Sequence, residues 1–340
     1  MDVIVHDVDV AVIGGGLAGT CAAIAAARQG AKAVLVEQRE VLGGNGSSLV
    51  RVHIGGAPDH GWHFDARETG IIEELRLTYA VKDPTNSYAW IDAVLRDACL
   101  AEPSLSVHHG IAIDAVEIAN HGVDGYTKRI MSCSGMQQGS ETRHVFKAKV
   151  FVDGTGDGTV GALAGAEYRL GREARAEFGE SIAPDVADQC VLGSSIMFEA
   201  RDLGHPVPFM PPPWAKKLPT DYSRTRVGRI PAGGHEGNGY WHGTMHVGWW
   251  WNELGGTLDT IRDDARIKHE LLATLYGLWD HVKNSGDPRY ANAANYDITW
   301  VGAIPGKRES RRIIGDYILK QDDLTSGTIF PDQVAAGGWT

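Results

Sequence analysis

Near the start of the chain, Gly14-Gly15-Gly16-Leu17-Ala18-Gly19 follows an apolar run and opens an alanine-rich one, with the spacing G-x-G-x-x-G. Each spaced glycine has its own physical task in such a turn. Gly14 permits the tight bend, Gly16 removes a side chain where the backbone must approach a pyrophosphate, and Gly19 lets a helix pack closely on a strand. A helix beginning at Leu17 and Ala18 offers unpaired N–H groups and the positive end of its dipole to phosphate oxygens. Glu37 follows Gly14 at close to the ~20-residue spacing of an acid that accepts hydrogen bonds from ribose hydroxyls and disfavours a 2′-phosphate. Together these residues point to dinucleotide binding. Glycine is abundant (43 residues), so the context matters more than the pattern, and a structural glycine turn is the alternative.

Three other groups of residues could do chemistry. His53, His60 and His63 stand among Asp59, Asp65, Arg67 and Glu68. Histidine titrates near neutral pH and can move a proton. The histidine spacing lacks the helical H-E-x-x-H logic of a metal site, so no metal is expected there, and Arg67 with Glu68 could equally be a structural ion pair. Residues 240–253 carry Trp241, Trp249, Trp250 and Trp251 with His242 and His246. On a strand, Trp249 and Trp251 face away from Trp250. They form either the core of a sheet or an aromatic platform suited to a sugar ring. His242 and His246 are the preferred acid–base candidates. Lys307, Arg308, Arg311 and Arg312 are close in sequence, and arginine binds carboxylates in a bidentate fork. Arg308 is the chosen anion-binding residue, with a solvated helix face as the other reading.

The surrounding pattern supplies elements to hold these residues. Residues 8–13 read as a strand buried on both faces, 17–29 as a helix ended by Gly30, and 33–36 as a second strand, which is a βαβ unit. Residues 43–48 read as a polar loop, 69–79 and 88–100 as helices. Runs at 107–118, 128–132 and 144–152 read as a strand returning to the sheet and a small antiparallel meander. The run 151–158 closes a strand into a second glycine-rich turn, and 160–165 starts a short helix. After residue 166 the composition shifts: residues 206–219 hold six prolines, and 258–283 read as a long helix.

Bulk properties narrow the function classes. A net charge of −11 in 340 residues argues against nucleic acid or an anionic membrane as the main partner. The four cysteines show no C-x-x-C spacing, so neither a zinc site nor a redox dithiol is indicated, and their scarcity fits a reducing, cytoplasmic setting. Residues 8–27 approach the length of a membrane span, but they contain Asp9 and a cluster of glycines. The N-terminus has no basic segment typical of a secretion signal.

The whole chain resembles the FAD-dependent oxidoreductases with a glutathione-reductase-like fold, distantly related to the fumarate reductase flavoproteins. The resemblance lies in Val12-Ile13-Gly14-Gly15-Gly16-Leu17-Ala18-Gly19, in Glu37 followed by Leu42-Gly43-Gly44-Asn45, and in Val152-Asp153-Gly154-Thr155-Gly156-Asp157-Gly158. Residues 65–75, 276–284 and 306–312 are similar to one bacterial branch sometimes labelled xanthan lyase.

The resemblance implies an α/β fold, with a Rossmann-like FAD-binding domain at 1–165 carrying an inserted β-meander (about 107–152) and a mixed α+β substrate domain at 166–340. It implies FAD as cofactor, held by Gly14, Gly16, Leu17, Ala18, Gly19, Glu37, Gly43, Gly44, Asn45, Ser47, Ala112, Gly154, Thr155, Gly156 and Asp157. The expected activity is dehydrogenation of a small polar substrate, with a carbohydrate in view and His242, His246 and Arg308 as the catalytic residues. Relatives end in a further glycine-bearing strand and helix that close over the flavin. No such segment is legible before Thr340, so a second polypeptide completing the FAD site is an open expectation. A redox-neutral polysaccharide-acting enzyme and a non-catalytic FAD-binding subunit are the rival readings.

Overall fold

The computed structural model describes residues 2–54, 69–85, 88–123, 125–218, 244–247, 253–286 and 288–334. The chain divides into two compact units, one of Met1–Ser48, His53–Gln189 and Arg311–Thr340, the other of Leu49–Val52 and Cys190–Ser310.

The first unit contains, in chain order, β1 (Asp2–Ile13), α1 (Leu17–Arg28), β2 (Ala33–Val36), a 3-10 turn at Gly44–Gly46, α2 (Gly70–Lys82), α3 (Ile91–Leu100) and β3 (Leu105–His108). These are followed by β4 (Ile111–Val123), β5 (Tyr126–Gln137), β6 (Thr142–Asp153), α4 (Thr159–Leu163), β7 (Tyr168–Arg169) and α5 (Arg175–Phe178). Six strands make one sheet in the order β3-β2-β1-β6-β5-β4. Strands β3, β2, β1 and β6 run parallel. The meander β4-β5-β6 is antiparallel, and its last strand is the fourth parallel strand. A parallel sheet and an antiparallel meander thus share β6.

Strand alternation divides the core between two faces. Val12 and Leu35 face one way and pack with Ala23 and Ile24 of α1, Leu75 of α2, and Ile91, Val94 and Leu95 of α3. Ala11, Ile13, Val34 and Val36 face the other way and pack with Ile111, Cys133 and Phe146 of the meander and Val160 of α4. Both faces are covered, as a parallel sheet requires. Cys99 and Cys133 are buried in these layers. Desolvation pushes each thiol up to about 12, helped by Cys21 and Glu102 beside Cys99 and by Asp153 beside Cys133.

Several boundaries differ from the sequence reading, each for a local reason. β1 begins at Asp2 rather than residue 8, because Asp2 to Val8 pair with Thr142 to Ala148 of β6. α3 begins at Ile91 because Tyr88 has φ +63°, which a helix cannot contain. The 43–48 segment is not a solvated loop: Gly46 and Ser47 are buried in and beside the 3-10 turn. The domain boundary expected near residue 166 lies inside the first unit. There β7 pairs with β13 (Arg312–Ile313), and Ile313 lies within 3.1 Å of where a Cβ on Gly158 or Gly161 would sit.

The second unit contains β8 (Ser194–Ser195), β9 (Phe198–Asp202), β10 (Thr244–Val247), β11 (Glu253–Leu254), α6 (Asp264–Asn284), a 3-10 segment at Pro288–Asn295 and β12 (Tyr296–Val301). Strands β10, β9 and β12 form an antiparallel sheet. Ile196, Phe198 and Ala200 pack with Ile267, Leu271, Leu275, Leu278, Trp279 and Val282 of α6. α6 begins later than expected because the Asp259 carboxylate accepts hydrogen bonds from the amides of Ile261 and Arg262, both at 3.0 Å. Such an Asp-centred turn competes with helix formation. In the first unit, β13 and α7 (Gln321–Thr325) follow. Among the described residues, no helix is long and apolar enough to cross a membrane.

Two expectations follow. A Cβ at Gly19 would lie 1.9 Å from the Gly14 carbonyl oxygen, so Gly19→Ala should lower stability by roughly 3 kcal/mol or more, the upper end of overpacking. Gly122→Ala, in open space, should stay within about 0.5 kcal/mol; denaturant unfolding of both variants checks this. Native protein should leave Cys99 and Cys133 unlabelled by a thiol reagent at pH 8, because the thiolate is the reactive form. Mass spectrometry should find both labelled only after unfolding.

Candidate functional site

Three glycines bring β1, α1 and β6 into backbone contact. A Cβ on Gly14 would meet the Gly154 carbonyl at 2.3 Å, and one on Gly154 would meet the Gly14 carbonyl oxygen at 2.7 Å. With Gly19 also against Gly14, none of the three can carry a side chain without backbone movement. Gly14 has φ +103°, in the region that favours glycine. Its amide donates to the Val36 carbonyl at 2.7 Å, and the Gly154 amide to the Ile13 carbonyl at 2.7 Å. The tips of β2, β1 and β6 are thereby fixed together at the carboxyl ends of the parallel strands, where open α/β sheets bind ligands.

Gly16 is different. A Cβ there would meet nothing within 4 Å, so no neighbour in the first unit demands a glycine. The open side suits a group that arrives from outside. Gly16 is the N-cap of α1 and no side chain caps the helix, so first-turn amides, those of Ala18 and Gly19 among them, lack acceptors within the helix. Gly156, at φ +78°, is likewise open. The donor set fits a diphosphate.

Glu37 directly follows β2 and is 5% exposed. Its Oε2 accepts the Gly15 amide at 2.6 Å and its Oε1 the Arg39 amide at 2.9 Å. A Cβ on Gly15 would lie 2.6 Å from Leu42 and about 3 Å from Glu37; the middle glycine thus admits the carboxylate to its own turn, a role the motif spacing does not reveal. The Ile111 amide donates to the Glu37 carbonyl at 3.1 Å, which places Ala112 one residue beyond this junction. The Gly43 amide donates to the Gly15 carbonyl at 2.8 Å, joining the second glycine element to the first. Asn45 is exposed. Ser47 is fully buried and its hydroxyl donates to the Gly44 carbonyl at 2.7 Å. The Ser48 amide donates to Asp92 at 2.9 Å, so α3 anchors this turn through a residue that sequence reasoning missed.

The turn after β6 is organised by Asp153, a member of the motif but not one of the residues expected to hold the cofactor. Its Oδ1 accepts from the Thr155 amide (3.1 Å) and hydroxyl (2.6 Å), and its Oδ2 from the Gly161 amide (2.9 Å). The Thr155 hydroxyl oxygen in turn accepts the Thr159 amide at 2.9 Å. Arg311 donates to the Asp157 carbonyl at 3.2 Å.

The cations of the 307–312 run each have their own partners within their unit. Arg308 pairs with Glu253 and Lys307 lies 4.0 Å from Asp264, all in the second unit. Arg311 holds the cofactor-side turn, and Arg312 pairs with Glu173 at 2.6 Å. His246 lies on β10 in register with Glu199. His242, Trp241, Trp249, Trp250, Trp251, Asp59, His60, His63, Asp65, Arg67 and Glu68 lie outside the described residues. The second unit also holds a grouping that no sequence spacing suggests. Arg51, at φ +64°, pairs with buried Glu199 at 2.8 Å and lies 4.0 Å over the Trp300 ring. Arg201 takes the other Glu199 oxygen at 2.6 Å.

Comparison with known proteins bears on this arrangement. The family model described as FAD dependent oxidoreductase matches residues 9–340. A search of curated proteins gave no match. Among solved structures, the chain is similar to adenylylsulfate reductase from the hyperthermophilic Archaeoglobus fulgidus at 17% identity, covering 46% of this chain and 31% of that one, with a TM-score of 0.30. It is similar to L-proline dehydrogenase from P. horikoshii at 19% identity, covering 46% and 24%, with a TM-score of 0.27. A flavoprotein/dehydrogenase from Cytophaga hutchinsonii is similar at 15% identity, covering 59% and 48%, with a TM-score of 0.36. The match thus spans a third or less of the first two structures.

The open side of Gly16 gives a direct expectation. Gly16→Ala should leave the unfolding free energy of the cofactor-free protein within about 0.5 kcal/mol, while placing a methyl group where the backbone meets phosphate. FAD affinity, read by fluorescence quenching, should fall at least about tenfold, a change of roughly 1.4 kcal/mol.

Proposed function

The chain belongs to the FAD dependent oxidoreductase family, and on that premise we propose that it dehydrogenates a small polar substrate, with a carbohydrate as the leading class. The observation that supports cofactor binding at this site is the contrast between glycines. Gly14, Gly19 and Gly154 are closed against backbone, whereas Gly16 and Gly156 beside them are open. Bound FAD supplies a two-electron acceptor.

In this reading the residues of the first unit divide the work. The Gly16–Gly19 amides hold the diphosphate through N–H groups and the helix dipole. Glu37 offers its remaining lone pairs to ribose hydroxyls while the Gly15 and Arg39 amides keep its carboxylate in place. Gly43, Gly44 and exposed Asn45 border the cofactor, with Ser47 supporting their turn from inside. Ala112, Gly154, Thr155, Gly156 and Asp157 complete the set, and Asp153 with Arg311 keeps the last of these in shape.

The second unit is proposed as the substrate part. Its tryptophan-rich run supports a sugar by composition, since aromatic faces with polar tips suit sugar rings. His242 or His246 accepts the hydroxyl proton as the substrate is oxidised, which is chemistry that neutral imidazole performs near pH 7. Arg308 is the proposed contact for an anionic substrate group, held in orientation by Glu253.

Two measurements test it. The purified chain, saturated with FAD and freed of excess, should retain about one flavin per chain by its visible spectrum and release it on denaturation. A colourless protein whose melting temperature FAD does not raise would overturn the assignment. Once a substrate bleaches the flavin anaerobically, His242→Ala or His246→Ala should slow that bleaching by about 10²–10⁴-fold. Unchanged single-turnover rates in both variants would remove the histidines from the mechanism.

A further inference from the structure

Three histidines distant in sequence meet inside the first unit. His6 lies on β1, His108 ends β3 and His144 lies on β6. His6 pairs in register with Phe146 and His108 with Val36, and register partners share a face of the sheet. His6 is two residues from Val8, and His144 two residues from Phe146, both of which pack in the layer between parallel sheet and meander. His6 and His144 stack with ring centroids 5.2 Å apart, and His108 meets His6 edge-on at 4.5 Å. Phe146 lies 4.8 Å from His6 and 5.6 Å from His108.

The polar atoms of this group are poorly served by protein. One hydrogen bond links His6 Nε2 and His144 Nδ1 at 2.9 Å. His144 is 5% exposed, and its Nε2 is buried without a partner. One ring nitrogen from each histidine can be chosen so that all three lie within 4.8 Å of one another. A buried imidazole nitrogen without a partner in a native protein calls for an explanation, and a cluster of three imidazoles has a simple one.

We propose that His6, His108 and His144 form a binding site for a divalent transition-metal ion of the zinc, cobalt, nickel or copper type. Imidazole is the preferred donor for these ions. With metal–nitrogen bonds of about 2.0–2.1 Å, tetrahedral ligands stand roughly 3.4 Å apart. Ring nitrogens that now lie within 4.8 Å of one another must therefore move by up to about 1.4 Å to reach that spacing, a change within reach of side-chain rotation. His6 and His108 are only partly buried, which leaves a route for the ion and a fourth position for water.

The histidine rings lie on the meander side of the sheet, while the His108 carbonyl accepts the Glu37 amide at 2.8 Å.

The test uses untagged, FAD-saturated full chain stripped of metal. Zn²⁺ titrated calorimetrically should bind at about one ion per chain and raise the melting temperature, because a ligand specific to the folded state stabilises it. Co²⁺ should give ligand-field absorption beyond the flavin bands. His6→Ala and His108→Ala should each weaken Zn²⁺ binding by about 100-fold or more, beyond the roughly 10–100-fold that loss of an outer-shell partner costs. His205→Ala, at an exposed site whose Nδ1 lies 3.0 Å from the Leu203 carbonyl, should leave it unchanged. If an alanine variant fails to fold, His6→Gln and His108→Gln keep polar bulk and serve in its place. Failure of the wild-type chain to take up any of Zn²⁺, Co²⁺, Ni²⁺ and Cu²⁺, or equal Zn²⁺ affinity in wild type and folded variants, would overturn the site.

Discussion

The close approach of Gly14, Gly19 and Gly154 is the constraint on which the first unit turns. Three chain segments from different elements meet with no side chain between them, at contacts a Cβ would reduce to 1.9–2.7 Å. Such contact fixes the rise of α1 over β1 and the position of the β6 tip beside both. Because protein interiors are close-packed, a shift at this point propagates into the layers on either side. The open glycines, Gly16 and Gly156, sit beside these closed ones and inherit their precision. The proposed diphosphate cradle, built on backbone amides, needs that rigidity, since it has few rotatable side chains to adjust.

Around this junction the polar groups act mainly on one another. Glu37 carries two backbone amides, Asp153 three donors, and Asp92 the turn that follows Gly43. Hydrogen bonds to ionised carboxylates are stronger than neutral ones, so each acid pins a loop that would otherwise lose its shape. The distribution also explains why the cofactor-side unit extends to the far end of the chain. Arg311 supports the Asp157 carbonyl, and Ile313 fills the space left by Gly158 and Gly161. Residues more than 150 positions away are thus part of the second turn's wall.

Much of this was legible in the sequence where local rules act. The Gly14–Gly19 spacing, the apolar run 33–36 and the alanine-rich stretch after Gly16 are governed by turn geometry and periodicity, and they locate β2 and α1 nearly to the residue. The N-terminal half of β1 was hidden because Asp2, His6 and Asp7 interrupt its apolar residues; only pairing with β6 makes it a strand. Tyr88 shortened α3 through a positive φ that residue type does not announce, and Asp259 delayed α6 by a side-chain turn that competes with the helix. Asp92, Asp153 and Arg311 escaped selection because their importance lies in contacts with distant backbone. The Lys307–Arg312 run illustrates the converse: four neighbouring cations suggested one patch, yet strand and loop geometry sends them to separate acids and carbonyls.

The histidines make the same point from the other direction. His53, His60 and His63 attracted attention by closeness in sequence, whereas His6, His108 and His144 are far apart and converge only through sheet order. A period-two reading does carry a trace of the convergence: His6 alternates with Val8, and His144 with Phe146 and Ala148, so these two histidines occupy positions whose strand neighbours pack in the core. Polar residues at such positions normally cost stability unless something satisfies them. His144 keeps a buried ring nitrogen without a partner beside the two other imidazoles. In the proposed reading the sheet serves two purposes: its strand tips hold glycine backbones for the FAD diphosphate, and its meander-facing side gathers imidazoles whose donor chemistry suits a cation.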